Sequence, residues 1–102
     1  MNRIIYWLCI LTTLATVATA TGRAAPIIKI VSSLPRTGSA NAQSSSIVNG
    51  IKMAIDEAGA QVGSYNIAYE DWDDASPERG QWDPAVEAAN AQRAVKDPEI
   101  MA

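Results

Sequence analysis

Two stretches of this chain concentrate the side chains that could do chemistry. The first, Ser32-Ser33-Leu34-Pro35-Arg36-Thr37-Gly38-Ser39-Ala40-Asn41-Ala42-Gln43, is dense in hydroxyls and amides. The second runs from Glu70 through Asp71, Asp73 and Asp74 to Asp83 and is acidic. Carboxylates at alternate positions are what calcium loops use. Asp71-Trp72-Asp73-Asp74-Ala75-Ser76, however, has alanine in fifth place and no glycine in sixth, so it fails the EF-hand template and reads as a solvated acidic loop. Trp72 and Trp82 flank it; their rings could stack on a sugar or a base, but such rings more often cover a helix edge. The chain has no histidine, and its one cysteine, Cys9, lies in an apolar leader. Ser/His/Asp and Cys/His nucleophiles, histidine proton shuttles and the usual zinc sets are therefore excluded. Reversible binding is expected, with no enzymatic step, no cofactor and no metal.

The elements that position these stretches follow from periodicity. Ile27-Ile28-Lys29-Ile30-Val31 is β-branched and nearly continuous, which suits a strand covered on both faces. The Ser32–Gln43 stretch, with Pro35, Gly38 and Asn41, reads as a loop. A helix follows: Ile47, Ile51 and Ile55, joined by Val48, Ala54 and Ala58, form one apolar face, and Asn49, Lys52, Asp56 and Glu57 the other. Ser44, Ser45 and Ser46 are the N-cap choices, and Gly59 or Gly63 marks the stop. Gly50, inside the helix, costs about 1 kcal/mol against alanine; it marks either a close approach to the sheet or a tolerated surface position.

Tyr65-Asn66-Ile67-Ala68-Tyr69-Glu70 alternates as a second strand, and the charge of residues 71–83 puts that loop outside. Asp83-Pro84 is a helix start, an acceptor at the N-cap and a ring holding the helical φ at the first position. The second helix is expected from Pro84 to about Val95, with Val86, Ala89 and Val95 among its apolar positions, and Asp97-Pro98 ends it. Ile100-Met101-Ala102 begins a third strand. Strand, helix, strand, helix, strand predicts an α/β fold, the start of a doubly wound parallel sheet with right-handed crossovers. Two strands and a stub make a thin core, so the segment reads as an incomplete lobe.

Met1-Asn2-Arg3, the uncharged run from Ile4 to Ala20 and the close Val17-Ala18-Thr19-Ala20 have the layout of a secretory signal, with cleavage after Ala20. The competing reading is a retained anchor, since Ile4 to Gly22 gives 19 uncharged residues and a span needs roughly 20. Leu8 before Cys9 disfavours a lipobox. The expected organisation is a signal peptide over 1–20, a linker over 21–26 and an incomplete α/β lobe over 27–102. Cleavage removes the cysteine and Arg3, leaving seven basic residues against eleven acidic ones, a net charge of minus 4. Such a segment has no electrostatic attraction to nucleic acid.

In an open parallel sheet, ligands sit beyond the carboxyl ends of the strands. The amides of a helix N-terminus following the first loop favour a carboxylate there. Pro35-Arg36-Thr37-Gly38 after an apolar strand, then Gly50-Ile51-Lys52-Met53-Ala54-Ile55-Asp56-Glu57-Ala58-Gly59, resembles the opening of the periplasmic leucine/isoleucine/valine-type binding proteins of ABC importers. Tyr69-Glu70-Asp71-Trp72-Asp73-Asp74-Ala75 and Asp83-Pro84-Ala85-Val86-Glu87-Ala88-Ala89-Asn90 are similar to that family's second strand, acidic loop and second helix. The resemblance covers Ile27 to Ala102. It implies the first lobe of a two-lobed type I periplasmic binding protein, a small polar solute (amino-acid or amide-like) held between lobes, and delivery to a membrane permease from the periplasm. Thr37, Gly38, Ser39 and Gln43 are the ligand-binding candidates it marks. Gln43 stands where the family often has an aromatic residue, which points to a more polar solute than leucine, and Ser39 stands where a proline often follows the glycine. The family's serine and threonine ligands for the amino acid's carboxylate and ammonium lie past its third strand, outside this chain. An extracytoplasmic sensor domain on the same lobes is a second reading. A nucleotide-dependent enzyme is a remote third, because no G-x-G-x-x-G follows Val31.

Overall fold

The computed structural model describes residues 22–102, so the leader, Cys9 and the cleavage position lie outside the described residues. The β-branched run forms β1 (Ile27–Leu34), longer than expected because Ser32 and Ser33 continue the ladder. It pairs in parallel with β3 (Tyr65–Asp73), from Ile27 opposite Asn66 to Leu34 opposite Asp73. Residues of a strand turn their N–H and C=O alternately to its two edges. Lys29 and Val31 direct theirs to the chain end: the amides of Lys29 and Val31 donate to the carbonyls of Glu99 and Ala102 (2.8 and 2.7 Å), and Met101 donates to Lys29 (3.0 Å). Residues 99–102 therefore run parallel to β1 on the edge opposite β3. This is a mixed α/β arrangement with a small, partly parallel sheet and two helices.

The edge beyond β3 is taken by a strand the periodicity did not indicate, β2 (Gln61–Val62), antiparallel to β3. Two residues join them, and Gly63 at φ 58° supplies the positive torsion that such a tight hairpin needs. A second unexpected pair, β4 (Ala75–Ser76) with β5 (Gln81–Trp82), is an antiparallel hairpin closed by Gly80 at φ 62°.

Helix α1 spans Asn41–Glu57 and starts earlier than its serines suggested. Its N-cap is Ala40, with no side-chain cap; Ser44 lies a turn inside and is buried, Ser45 donates to Asn41 and Ser46 to the Ala42 carbonyl. The inward face is Ser44, Val48, Ile51 and Ile55, while Ile47, Ala54 and Ala58 are exposed, a rotation from the expected face that lets polar Ser44 in and leaves Ile47 out. Gly59 (φ 68°) ends the helix as expected, in a Schellman closure: Ala60 donates to Ile55 and Gly59 to Asp56, both at 2.9 Å. A side chain at Gly50 would meet nothing, so Gly50 is a surface position and not a point of approach to the sheet.

Helix α2 (Pro84–Lys96) begins as the sequence indicates, Asp83 accepting from the Ala85 amide at 2.9 Å ahead of Pro84. Its half-buried positions are Val86, Glu87, Asn90 and Ala94; Ala89 is exposed and Val95 is 88 % exposed, against expectation, because the inner face is partly polar. Among the described residues the buried apolar set is Val48, Trp72 and Ala75, a thin core. None of the described helices is long and apolar enough to cross a membrane.

Candidate functional site

The acidic segment after Glu70 lies inside, where a solvated loop was expected. Trp72, Asp74, Ala75 and Ser76 are all buried, and Asp74 is only 3 % exposed. β3 carries the chain through Asp73, and the segment then turns under β1 and α2, Asp74 donating its amide to the Leu34 carbonyl (3.2 Å). Burying carboxylates is costly unless donors meet them. Asp73 meets four. Its Oδ1 accepts from the amides of Arg36 and Ala75 (both 2.8 Å), its Oδ2 from the Thr37 hydroxyl (2.9 Å), and its carbonyl from the Asn90 side-chain amide (2.9 Å). Burial pushes the Asp73 carboxyl up, but the Ala75 and Arg36 amides and the Thr37 hydroxyl outweigh it and hold its pKa below 3.8.

Around Asp73 the carboxyl ends of β1 and β3, the following loops and both helices interlock. Ser33 donates to Glu87 (2.6 Å) and accepts from Asn90 (2.9 Å), tying β1 to α2. Arg36 pairs through Nε with Asp71 (2.9 Å) and donates from Nη1 to Ser45 (3.2 Å), tying the loop to β3 and α1. The Gly80 carbonyl accepts from the Ser39 amide (3.1 Å), and a Cβ at Gly38 would sit 2.0 Å from that same oxygen. Gly38, at φ 79°, is glycine for two reasons: its torsion and the β4–β5 turn pressed against it.

Of the four ligand candidates, Thr37, Gly38 and Ser39 fall together on an exposed lip at the carboxyl end of β1, and Gln43 is exposed in the first turn of α1. Thr37 already donates its hydroxyl to Asp73, and Gly38 and Ser39 lie against Gly80. Because no side chain caps α1, and Asn41 and Ser44 donate to Gly38 and Ala40, the Ala42 and Gln43 amides open onto that lip. Among the described residues no cluster of three or more His, Cys, Asp or Glu is placed to hold a metal ion.

The sequence did not indicate the polar network under the lip, Ser33, Asp73, Glu87 and Asn90, in which Asp73 had stood only as one acid of a solvated loop. Its one local signal is Glu87 and Asn90 three apart on an alanine-rich helix, a spacing that puts both on one face. Trp72 packs under the Arg93 guanidinium, 3.9 Å from the ring centroid, and donates its indole N–H to Glu70 (2.8 Å). It covers the α2 edge. Trp82 is half exposed. Glu70 also pairs with Arg93 (3.0 Å) and Lys29 (3.2 Å), and Lys29 with Asp97 (2.5 Å), which pins the end of α2 to β1. Compared with protein-family models, curated proteins and solved structures, the chain matches none.

Proposed function

We propose that this chain is the opening part of the first lobe of an exported solute-binding protein. It captures a small polar, amino-acid-like solute for a membrane ABC permease and performs no chemical step on it. The observation that supports this most is the uncapped N-terminus of α1 beside the Thr37–Ser39 lip, at the carboxyl end of a parallel strand pair. Amides at such a terminus, with the positive end of the helix dipole, attract a carboxylate without needing a cationic side chain. Arg36 is unsuited to that role, since its charge is already paired with Asp71. Carboxylate recognition thus falls to the main chain at Ala42 and Gln43, with Ser39 and Gln43 supplying polar side chains around it.

A single lobe offers half a cleft, and a solute is withdrawn from water only when a second lobe closes over it. Under this proposal the open reading frame continues past the codon for Ala102 through a completed third strand and a second α/β lobe. Sequencing the gene beyond that codon checks this. A stop codon at that position with a stable exported product would overturn the transport reading, and a membrane span after the second lobe would replace transport with sensing.

A further inference from the structure

Lys29 is the one charged residue of β1, and its side chain is only 16 % exposed. Three carboxylates from three places converge on its Nζ: Asp97 at the end of α2 (2.5 Å), Glu70 on β3 (3.2 Å) and Glu99 in the segment beside β1 (3.7 Å). Asp97 also builds the turn that leaves α2. As the C-cap it donates its amide to Ala94 (3.1 Å), its Oδ1 accepts from the Glu99 amide (3.0 Å), and its carbonyl accepts from Ile100 (3.2 Å). The same side chain thus shapes the turn through Oδ1 and meets Lys29 through Oδ2.

Main chain and apolar pattern leave the position of residues 99–102 along β1 open. The segment touches β1 through one bridge, Lys29 opposite Ile100, and three hydrogen bonds. Ile100 is half-buried and Met101 exposed, but both are apolar and of similar size, so a one-residue slip that exchanges them loses little. Such a slip moves the segment roughly 3.3 Å along β1, enough to take Asp97 out of reach of Lys29. We propose that Lys29, acting through Asp97, is the register key of the third strand. Its consequence for solute capture rests on the solute-binding reading above: residues that follow the third strand arrive beside the lip at the height this register sets. Lys29 is then a positioning residue for the site, acting on it without touching the solute.

Amide hydrogen exchange and nuclear Overhauser contacts in the full chain test the key. The Met101 amide, which donates to Lys29, reports the register, and the Asn66 amide, which donates to Pro26 across the β1–β3 pair, is the internal reference. In Lys29→Met, Met101 protection should fall about fivefold and its contacts should leave residue 29. Asn66 should be unchanged, because Glu70 keeps Arg93 and Trp72. Lys29→Arg should restore both readouts. Asp97→Asn keeps an oxygen for the Glu99 amide and leaves Lys29 paired with Glu70, so it tests the charge even if Lys29→Met does not fold; Met101 protection should fall there too. Glu99→Gln, at the longest distance and half exposed, should change little. A Met101 amide that stays protected in Asp97→Asn, a loss as large in Glu99→Gln, or Asn66 falling in step with Met101 in Asp97→Asn would overturn the proposal. None of these readouts involves a solute, so they stand apart from success or failure of the solute-binding reading.

Discussion

Replacing Gly38 with alanine should destabilise the fold by about 2–5 kcal/mol, and urea unfolding followed by tryptophan fluorescence reads it directly. Two costs combine. A non-glycine residue at φ 79° carries roughly 1–2 kcal/mol of backbone strain. A methyl placed 2.0 Å from the Gly80 carbonyl oxygen must push the β4–β5 turn away, an overpacking penalty of roughly 1–3 kcal/mol, and with it goes the Ser39–Gly80 bond. The same substitution at Gly50, where a Cβ meets nothing, is the control and should raise stability by about 0.5–1 kcal/mol. If Gly38→Ala were as benign as Gly50→Ala, the loop and the hairpin would not be in contact and the lip would be free to move.

Asp73→Ala should cost a similar amount, about 2–4 kcal/mol. The substitution leaves the Arg36 and Ala75 amides without their acceptor, and a buried donor left unpaired costs roughly 1–3 kcal/mol, while the exposed Thr37 hydroxyl can turn to water. Asp73→Asn keeps a carbonyl oxygen for the two amides and should recover most of the loss. A pH dependence separates charge from shape. Because the folded pKa of Asp73 is lowered, its contribution is complete above 3.8 and disappears as pH falls below that value, so Asp73→Asn should flatten this acid limb. A full loss in Asp73→Asn, or an unaltered acid limb, would show that the carboxylate does not organise the loops. Asp73 and Asp74 thus act in opposite senses: one loses stability in acid, while the other, pushed up to about 6 by its burial, gains it as pH falls from about 6 to 3.8.

The order of the two long strands and two helices was legible because it rests on local patterns, the β-branched run at Ile27–Val31, the alternation at Tyr65–Glu70, the Asp83-Pro84 start and the Gly59 stop, whereas the two-residue strands β2, β4 and β5 are too short to show a period. The buried acidic segment was not legible. Its charges read as solvent-seeking, but Asp73 is satisfied by Arg36 and Thr37, 37 and 36 residues away, and no short window along the chain contains Asp73 together with them. For a similar reason the face of α1 was turned: counting isoleucines favoured Ile47, whereas packing admits Ser44 beside the expected Val48 and leaves Ile47 exposed. Val95 looked like core from its type alone, yet it stands on the outer side of α2. Gly38 was noted as a loop glycine; only the distant Gly80 explains why nothing else fits. At the lip, Thr37, Gly38 and Ser39 were adjacent in sequence and are adjacent in space. The opening of the Ala42 and Gln43 amides beside them depends on Ala40 standing at the N-cap, where serine had been expected further along.

Amide-resolved NMR of the chain titrated with glutamine, a polar amide-bearing amino acid, to tens of millimolar addresses solute recognition most directly. Half a cleft should give weak, unsaturated shifts confined to Ser39, Ala42, Gln43 and their neighbours, with α2 silent and no saturable micromolar heat in parallel calorimetry. Shifts centred elsewhere, a lip that does not respond, or saturation in the micromolar range would contradict the account.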